Sequence, residues 1–147
     1  MSQHKVEVAW KRETKDFTYD TYDRTHTIRF EGGITVKGSA APEFFGKKEY
    51  ANPEELLIAA LSTCHMLTFL AIAAKSRLIV DSYLDSPVGF LEKGENGILW
   101  VTQTVLHPKI TFSGEVPSPE KIQQIHEKAH RNCFIANSVK TKVTVAN

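Results

Sequence analysis

Two cysteines, Cys64 and Cys133, are the residues of this chain best suited to covalent chemistry. A cysteine thiolate attacks peroxides and other electrophiles, and the sulfenic acid that results condenses with a second thiol to form a disulfide. A cysteine can also fill space as a small apolar side chain without reacting at all. Spacing alone does not decide between these roles, but a chain with two cysteines makes their pairing worth testing.

Two histidines precede Cys133 at helical spacing. His126, His130 and Cys133 stand at positions i, i+4 and i+7, which places three residues able to bind a metal on one face of a helix. A fourth ligand is not evident nearby, and histidines at this spacing are also common as packed or solvated side chains. A metal-binding protein built on these three residues is therefore one alternative.

The composition limits the partners that the chain can bind. Its 147 residues include 18 Lys and Arg and 17 Asp and Glu, which gives a formal net charge of +1. Without an excess of positive charge, nucleic acid is not an expected partner. The first eight residues place charges where a signal peptide has its apolar segment, so we expect a cytoplasmic protein whose cysteines rest as thiols.

One segment, from Leu56 to Ala74, carries no formal charge and approaches the length of a membrane-spanning helix. Polar residues such as Ser62, Thr63 and His65 interrupt it, and no other part of the chain is comparably apolar. These features favour a soluble helix buried on all sides, without membrane association.

The N-terminal half predicts a meander followed by a long helix. Alternating apolar and polar residues indicate strands at Val6–Arg12, His26–Phe30 and Ile34–Lys37. The sequence NPEE at 52–55 then supplies an N-cap, a proline at the first helical position and a capping-box glutamate. The helix should run to about Lys75, whose charge suits the negative end of the helix dipole.

The C-terminal half predicts a hairpin, a second helix and a last strand. Residues 78–112 indicate two long strands joined by the polar turn at 93–97, and Ser118 begins a helix that reaches about Asn132. A final strand is expected at Thr141–Val145. The order β-β-β-α-β-β-α-β predicts one α+β domain over residues 1–147, with sheets covering a hydrophobic central helix.

The segment 52–64, NPEELLIAALSTC, resembles the signature of the OsmC/Ohr family, in which a cysteine follows the glutamate of an Asn-Pro-Glu motif by ten residues. The hairpin, the proline-started second helix and the C-terminal cysteine extend the resemblance over nearly the whole chain. It implies an OsmC-like α+β fold, with antiparallel sheets wrapping the central helix in an intertwined homodimer. It also implies a thiol-dependent peroxidase that reduces organic hydroperoxides.

Site residues follow from the same resemblance. Cys64 matches the peroxidatic cysteine, Cys133 the resolving cysteine and Glu54 the acidic residue of the Asn-Pro-Glu motif. Arg24 falls where the Ohr branch has its catalytic arginine, and Arg29 is a second candidate. The external dithiol that the resemblance implies is of lipoyl or a similar type, and no metal or other cofactor is expected.

Three positions differ from the better-studied branches of the family. Phe44 stands where the OsmC branch has its arginine, His65 follows Cys64 where an aromatic residue is usual, and Phe134 follows Cys133 where proline is usual. These differences indicate a separate OsmC-like subgroup.

The implied roles are chemically consistent. The guanidinium of Arg24 can hold a Cys64 thiolate and donate to the peroxide oxygens, while Glu54 orients it through a bidentate pair. Stabilising the leaving alkoxide contributes more than ionising the thiol, because a free cysteine is already partly thiolate near neutral pH. Apolar neighbours of Cys64, namely Leu61, Met66, Leu67 and Phe69, favour a fatty or aryl hydroperoxide over hydrogen peroxide.

Helix geometry adds a prediction about assembly. Ten residues at about 1.5 Å each separate Glu54 from Cys64 by about 15 Å, so the two cannot meet within one straight helix. If both serve one site, Glu54 of one subunit must approach Cys64 of another, and a homodimer with two shared sites is expected. The remaining alternative is a dimer that binds a small apolar ligand without turnover.

Overall fold

A computed structural model of the chain describes residues 1–146 and contains eight strands and two α-helices within them. The strands are β1 Val6–Ala9, β2 His26–Phe30, β3 Thr35–Gly38, β4 Ile79–Leu84, β5 Val88–Lys93, β6 Leu99–Leu106, β7 Lys109–Ser113 and β8 Lys142–Val145. The helices are α1 Pro53–Lys75 and α2 Pro119–Asn132. The predicted α+β class is therefore confirmed.

The chain forms two compact units, one of residues 1–56 and a second that begins at Leu57, within α1. The first unit contains the predicted antiparallel meander, in the order β1-β2-β3. Strand β1 is shorter than predicted and ends at Ala9 instead of Arg12. Gly33, with φ of 90°, makes the turn from β2 to β3, a conformation that favours glycine.

Helix α1 begins as the sequence predicts. The Asn52 side chain accepts a hydrogen bond from the Glu55 N–H at 2.8 Å, and the Glu55 carboxylate accepts one from the Asn52 N–H at 3.0 Å. This reciprocal pair satisfies two backbone donors that the first helical turn leaves without partners. Pro53 occupies the first helical position, where a backbone N–H would have no partner within the helix, so its absence costs no hydrogen bond.

The second unit departs from the prediction of two long strands over 78–112. Each is interrupted, so that β4 pairs with β7 in one sheet while β5 pairs with β6 in another. The breaks contain Pro87 and Pro108, and proline has no N–H to give to a strand ladder. Asp85 joins the two breaks, because its carboxylate accepts the His107 backbone N–H at 2.7 Å.

Strand β8 extends the second sheet to the order β5-β6-β8, but it pairs with β6 in parallel, although antiparallel sheets were expected. The reason is connectivity, since α2 lies between β7 and β8 in the chain and returns β8 in the same direction as β6. The Thr141 hydroxyl donates to the Val101 carbonyl at 2.8 Å and fixes the entry of this strand.

The core of the second unit lies where α1 and α2 pack together. Phe69 and Ala73 of α1 meet Ile125 and Ala129 of α2, all four buried, and apolar residues of β4 and β7 pack against this cluster. Helix α2 buries only this stripe, begins at the Ser118 cap and ends before Cys133.

Helix α1 is apolar along most of its length, but the rest of the chain covers only part of its surface. The helix has 23 residues, and by length and composition it could span a membrane. Only 22% of its most apolar stretch is buried within the chain. The buried residues form a single stripe that includes Leu61, His65 and Phe69, whereas Leu67 is 61% exposed. The prediction that α1 is buried on all sides is therefore wrong for the single chain.

Replacing the cap of α1 should weaken the fold. We expect Asn52→Ala to lower the free energy of unfolding by about 1 kcal/mol, since the Glu55 N–H loses its acceptor. Asn52→Asp keeps a side-chain acceptor and is the matched control. Urea denaturation of the three proteins measures the difference, and equal midpoints for Asn52→Ala and the parent would contradict the role of the cap.

Candidate active site

Cys133 is a buried thiol at the end of α2. The side chain is 1% exposed, and its sulfur accepts the Ala136 N–H at 3.4 Å. The backbone leaves the helix at this residue, with φ −73° and ψ 112°, and the Cys133 N–H still bonds to the His130 carbonyl. Helix α2 thus ends by turning its last side chain into the interior.

Cys64 lies in the middle of α1, half-buried, and its side chain interacts with that of Cys133. Burial raises the pKa of the Cys133 thiol, and the neighbouring Cys64 thiol raises it further. Both cysteines are free thiols. The structure therefore brings together two of the four residues that the sequence predicted for the site, with Cys133 the more deeply buried.

His65, next to Cys64, is completely enclosed and pairs with a histidine of α2. Its Nε2 lies 3.0 Å from Nδ1 of His126, and the two rings stack with centroids 5.3 Å apart. Burial lowers the pKa of His65 to about 4, and the charges of His126 and His130 lower it as well, while Asp85 opposes them. Burial also lowers the pKa of His126.

This pairing bears on the metal alternative. His126 is hydrogen-bonded to His65, and Cys133 interacts with Cys64, so neither shares a ligand cluster with His130. Among residues 1–146, no group of three or more His, Cys, Asp and Glu side chains is placed to hold a metal ion. Helical spacing put these residues on one face, but their side chains bind different partners.

Two polar groups near this pair, the half-buried Asp85 carboxylate and the buried Tyr83 hydroxyl, were not anticipated. Asp85 accepts a hydrogen bond from the Ser62 hydroxyl at 2.5 Å, and its charge acts on His65, His126 and Tyr83. The buried Tyr83 hydroxyl has no hydrogen-bond partner among residues 1–146, and burial raises its pKa above the usual range. The sequence offered one signal for Asp85. An aspartate directly before Ser-Pro is typical of the end of a strand, where its side chain can accept a hydrogen bond.

Arg24 is held in the first unit by its own loop. The side chain is 8% exposed, donates to the carbonyls of Tyr22 and Tyr19, and lies 3.7 Å from the centre of the Tyr22 ring. Arg29, the second arginine candidate, is exposed on β2 opposite Glu7. Of the two arginines, only Arg24 is therefore both buried and fixed in position.

Glu54 has no partner for one of its carboxylate oxygens. Its Oε2 is buried and accepts no hydrogen bond from residues 1–146. The described part of the chain holds one ion pair, between Lys47 and Asp23, so the predicted Arg24–Glu54 pair is not formed within a single chain. A buried carboxylate oxygen without a donor is unfavourable and indicates that a donor is missing.

A cavity of about 430 Å³ adjoins Arg24 in the first unit. Its walls are largely aromatic, with Trp10, Phe17 and Tyr22 in mutual ring contact. By contrast, Leu61 and Phe69 on α1, which the sequence offered as substrate contacts, are fully buried and belong to the core. The apolar surface beside a candidate catalytic group is therefore aromatic and comes from the N-terminal loop.

The histidine pair makes stability depend on pH. Unfolded histidine titrates near 6.5 and folded His65 near 4, so the unfolded state binds more protons between these values. We expect the free energy of unfolding to fall by up to about 3 kcal/mol as the pH drops through this window.

Urea unfolding across this pH range measures the effect, with His65→Gln as the test and exposed His4→Gln as the control. The loss should shrink in His65→Gln and persist in His4→Gln. Hydrogen bonds from Lys47 and Thr25 hold the pKa of Asp23 well below its usual range. Protonation of Asp23 therefore affects stability only at lower pH. A parent protein whose stability is flat between about pH 6.5 and 4 would contradict a buried neutral His65.

Known proteins of the same fold include several with described structures. An OsmC-like protein of unknown function from Vibrio cholerae is 45% identical, with 99% of each chain covered and a TM-score of 0.95. An organic hydroperoxide resistance protein from Elizabethkingia anophelis is 20% identical, covering 100% of this chain and 97% of its own, with a TM-score of 0.74.

A putative organic hydroperoxide resistance protein from Vibrio cholerae, with captopril bound in one of its active sites, shares the fold at 17% identity, 99% and 92% coverage and a TM-score of 0.72. No curated protein matches the chain. A protein-family model described as OsmC-like protein matches residues 46–146. The chain therefore belongs to the OsmC-like protein family.

Proposed function

We propose that this protein is a thiol-dependent peroxidase that reduces organic hydroperoxides, with Cys64 as the attacking thiol and Cys133 as the resolving thiol. The observation that carries the proposal is the interaction between these two side chains. Two fold relatives named for organic hydroperoxide resistance support the substrate class. The 45% identical relative is of unknown function and adds no support on this point.

The burial of the two thiols gives them different roles. Cys133 is buried and its raised pKa keeps it protonated, so it is a poor first nucleophile. Cys64 is half-buried, and a peroxide can approach it. The two cysteines therefore act in a fixed order, with the accessible sulfur oxidised first.

The reaction balances without a metal or cofactor. The Cys64 thiolate attacks the terminal oxygen of the hydroperoxide, gives two electrons to the O–O bond and forms a sulfenic acid, while the alkoxide leaves and takes up a proton. The Cys133 thiol then attacks the Cys64 sulfur, an S–S bond forms, and the hydroxyl leaves as water. An external dithiol, of lipoyl or a similar type, reduces the disulfide through two thiol-disulfide exchanges.

Glu54 of one chain completes the site of a second copy of the chain, where it orients the arginine. Helix α1 separates Glu54 from Cys64 by about 15 Å along its axis, so a straight helix cannot bring them to one point. The Glu54 oxygen without a donor, and the apolar surface of α1 that one chain leaves uncovered, are both accounted for by a homodimer. A two-fold axis across antiparallel α1 helices provides two such sites.

The environment of Arg24 supports an organic substrate. Its guanidinium is already aligned by two backbone carbonyls and the Tyr22 ring, so little ordering is required when a peroxide binds. The aromatic cavity beside it suits the body of an aryl or fatty hydroperoxide. Hydrogen peroxide would leave this cavity unfilled.

Intact mass spectrometry tests the cysteine roles. One equivalent of cumene hydroperoxide should lower the parent mass by about two units, the signature of a Cys64–Cys133 disulfide. The Cys133→Ser variant should instead gain about sixteen units or more as its sulfenic acid persists or oxidises further. Cys64→Ser is the control and should stay unchanged. An oxygen adduct that persists in the parent protein would remove Cys133 from the resolving role.

Mixed dimers test the shared site. A Cys64→Ser chain combined with a Glu54→Ala chain rebuilds one complete site, so the mixture should regain peroxidase activity that each protein lacks alone. In the control mixture, Cys64→Ser is combined with Cys133→Ser, whose two cysteines must come from one chain, and turnover should stay absent. If the first mixture is also inactive although mixed dimers form, the shared site is wrong.

A further inference from the structure

A second cavity, of about 720 Å³, lies in the second unit, between α2, strand β8 and the turn that contains Pro108. It contains neither cysteine, and the proposed peroxidase chemistry does not use it. Its volume falls within the range typical of small-molecule sites. Apolar side chains, among them Ile122, Val143 and Val145, form much of its wall.

Two histidines of α2, His126 and His130, supply polar groups in this wall. The His126 ring is fixed on its buried side. Its Nδ1 forms a hydrogen bond with Nε2 of the enclosed His65, and the ring packs on Phe69 with centroids 4.6 Å apart. The remaining ring nitrogen, Nε2, is the one left for a ligand. A polar group fixed by a buried neighbour is the usual construction of a binding site.

The proton arrangement in the pair determines what His126 offers. The Nδ1 atom of His65 is buried and has no hydrogen-bond partner in the described part of the chain. An unpaired buried acceptor is more readily tolerated than an unpaired buried N–H, so the His65 proton belongs on Nε2, where it is donated to His126. Neutral His126 then carries its own proton on Nε2 and presents a donor to the cavity.

The remaining polar groups limit the charge of the ligand. No Lys or Arg is among the described residues that line the cavity. Glu127, also in the wall, is exposed and accepts a hydrogen bond from the Gln123 amide at 3.2 Å. A phosphate dianion would meet this carboxylate without a fixed cation to offset it. A singly charged acceptor at His126 and His130 fits these groups better.

We propose that this cavity is a binding site for a small carboxylic acid with an apolar body, whose carboxylate accepts hydrogen bonds from His126 and His130. The apolar part lies against Ile122 and Val143, and Glu127 stays at the rim in water. The site is separate from the thiol pair and from Arg24.

Calorimetric titration of the full-length protein with sodium decanoate, at neutral pH and below its micelle-forming concentration, tests the site. We expect one decanoate per chain, with affinity at least about tenfold weaker in His126→Phe, which keeps a ring to pack on Phe69 but has no N–H to donate to the carboxylate. His130→Leu, which removes the second donor at an exposed position and leaves the core intact, should also weaken binding. Exposed His4→Gln and Cys64→Ser should bind as the parent does.

Gln123→Trp provides a second test that leaves both histidines in place. Gln123 is exposed on α2 at the cavity, so a tryptophan there should fill the space without disturbing the core, and decanoate binding should be lost. Decyltrimethylammonium, with the same tail and the opposite charge, should not bind.

Three outcomes would overturn the proposal. Equal decanoate affinity in the parent, His126→Phe and Gln123→Trp proteins would show that the cavity is not the site. Equal binding of decyltrimethylammonium would show that the tail alone is recognised. Loss of the dimer in Gln123→Trp, measured by sedimentation, would assign the cavity to contact between two copies of the chain.

Discussion

Helix α1 imposes the constraint on which the rest of this protein depends. It is a straight element of 23 residues, apolar around most of its surface, and only a stripe of it packs within the chain. Removing the remaining apolar surface from water is the largest favourable term available to the chain. We propose a second copy of α1 as the cover for this surface, because it matches α1 in length and character, and the proposed site is accordingly one that two chains share.

The two thiols differ because the helix positions that carry them differ. Cys64 occupies the middle of α1, where backbone hydrogen bonds are complete and only the side chain is partly exposed. Cys133 sits where α2 ends, and its sulfur is enclosed and accepts a backbone N–H. In the proposed mechanism, this burial protects the second thiol from outside reagents and leaves it available to the first.

The histidine pair shows how a charge-capable group can be kept neutral inside a core. His65 replaces the aromatic residue that is usual after the cysteine in better-studied branches, and it packs as an aromatic would, stacked on His126. Its one hydrogen bond connects α1 to α2 without burying a charge. The same contact fixes the ring that faces the second cavity, so one interaction serves both packing and the proposed binding site.

Local signals in the sequence determined the elements. The NPEE segment specified the start of α1 through a capping box, Ser118-Pro119 specified the start of α2, and the alternating strands of the meander were readable because each depends on near neighbours. The same local motif identified the family and the cysteine in α1. These features were predictable since hydrogen bonds within a few residues decide them.

Only the tertiary structure decided which side chains meet. The breaks at Pro87 and Pro108 divided two predicted strands between two sheets. Sequence spacing also could not show that His126 would pair with His65, instead of joining His130 and Cys133 around a metal. The histidine contact joins residues 61 positions apart, and both it and the strand pairing depend on how helices and sheets pack. Sequence determined the helices and their chemistry, whereas packing determined which thiols, histidines and carboxylates became neighbours.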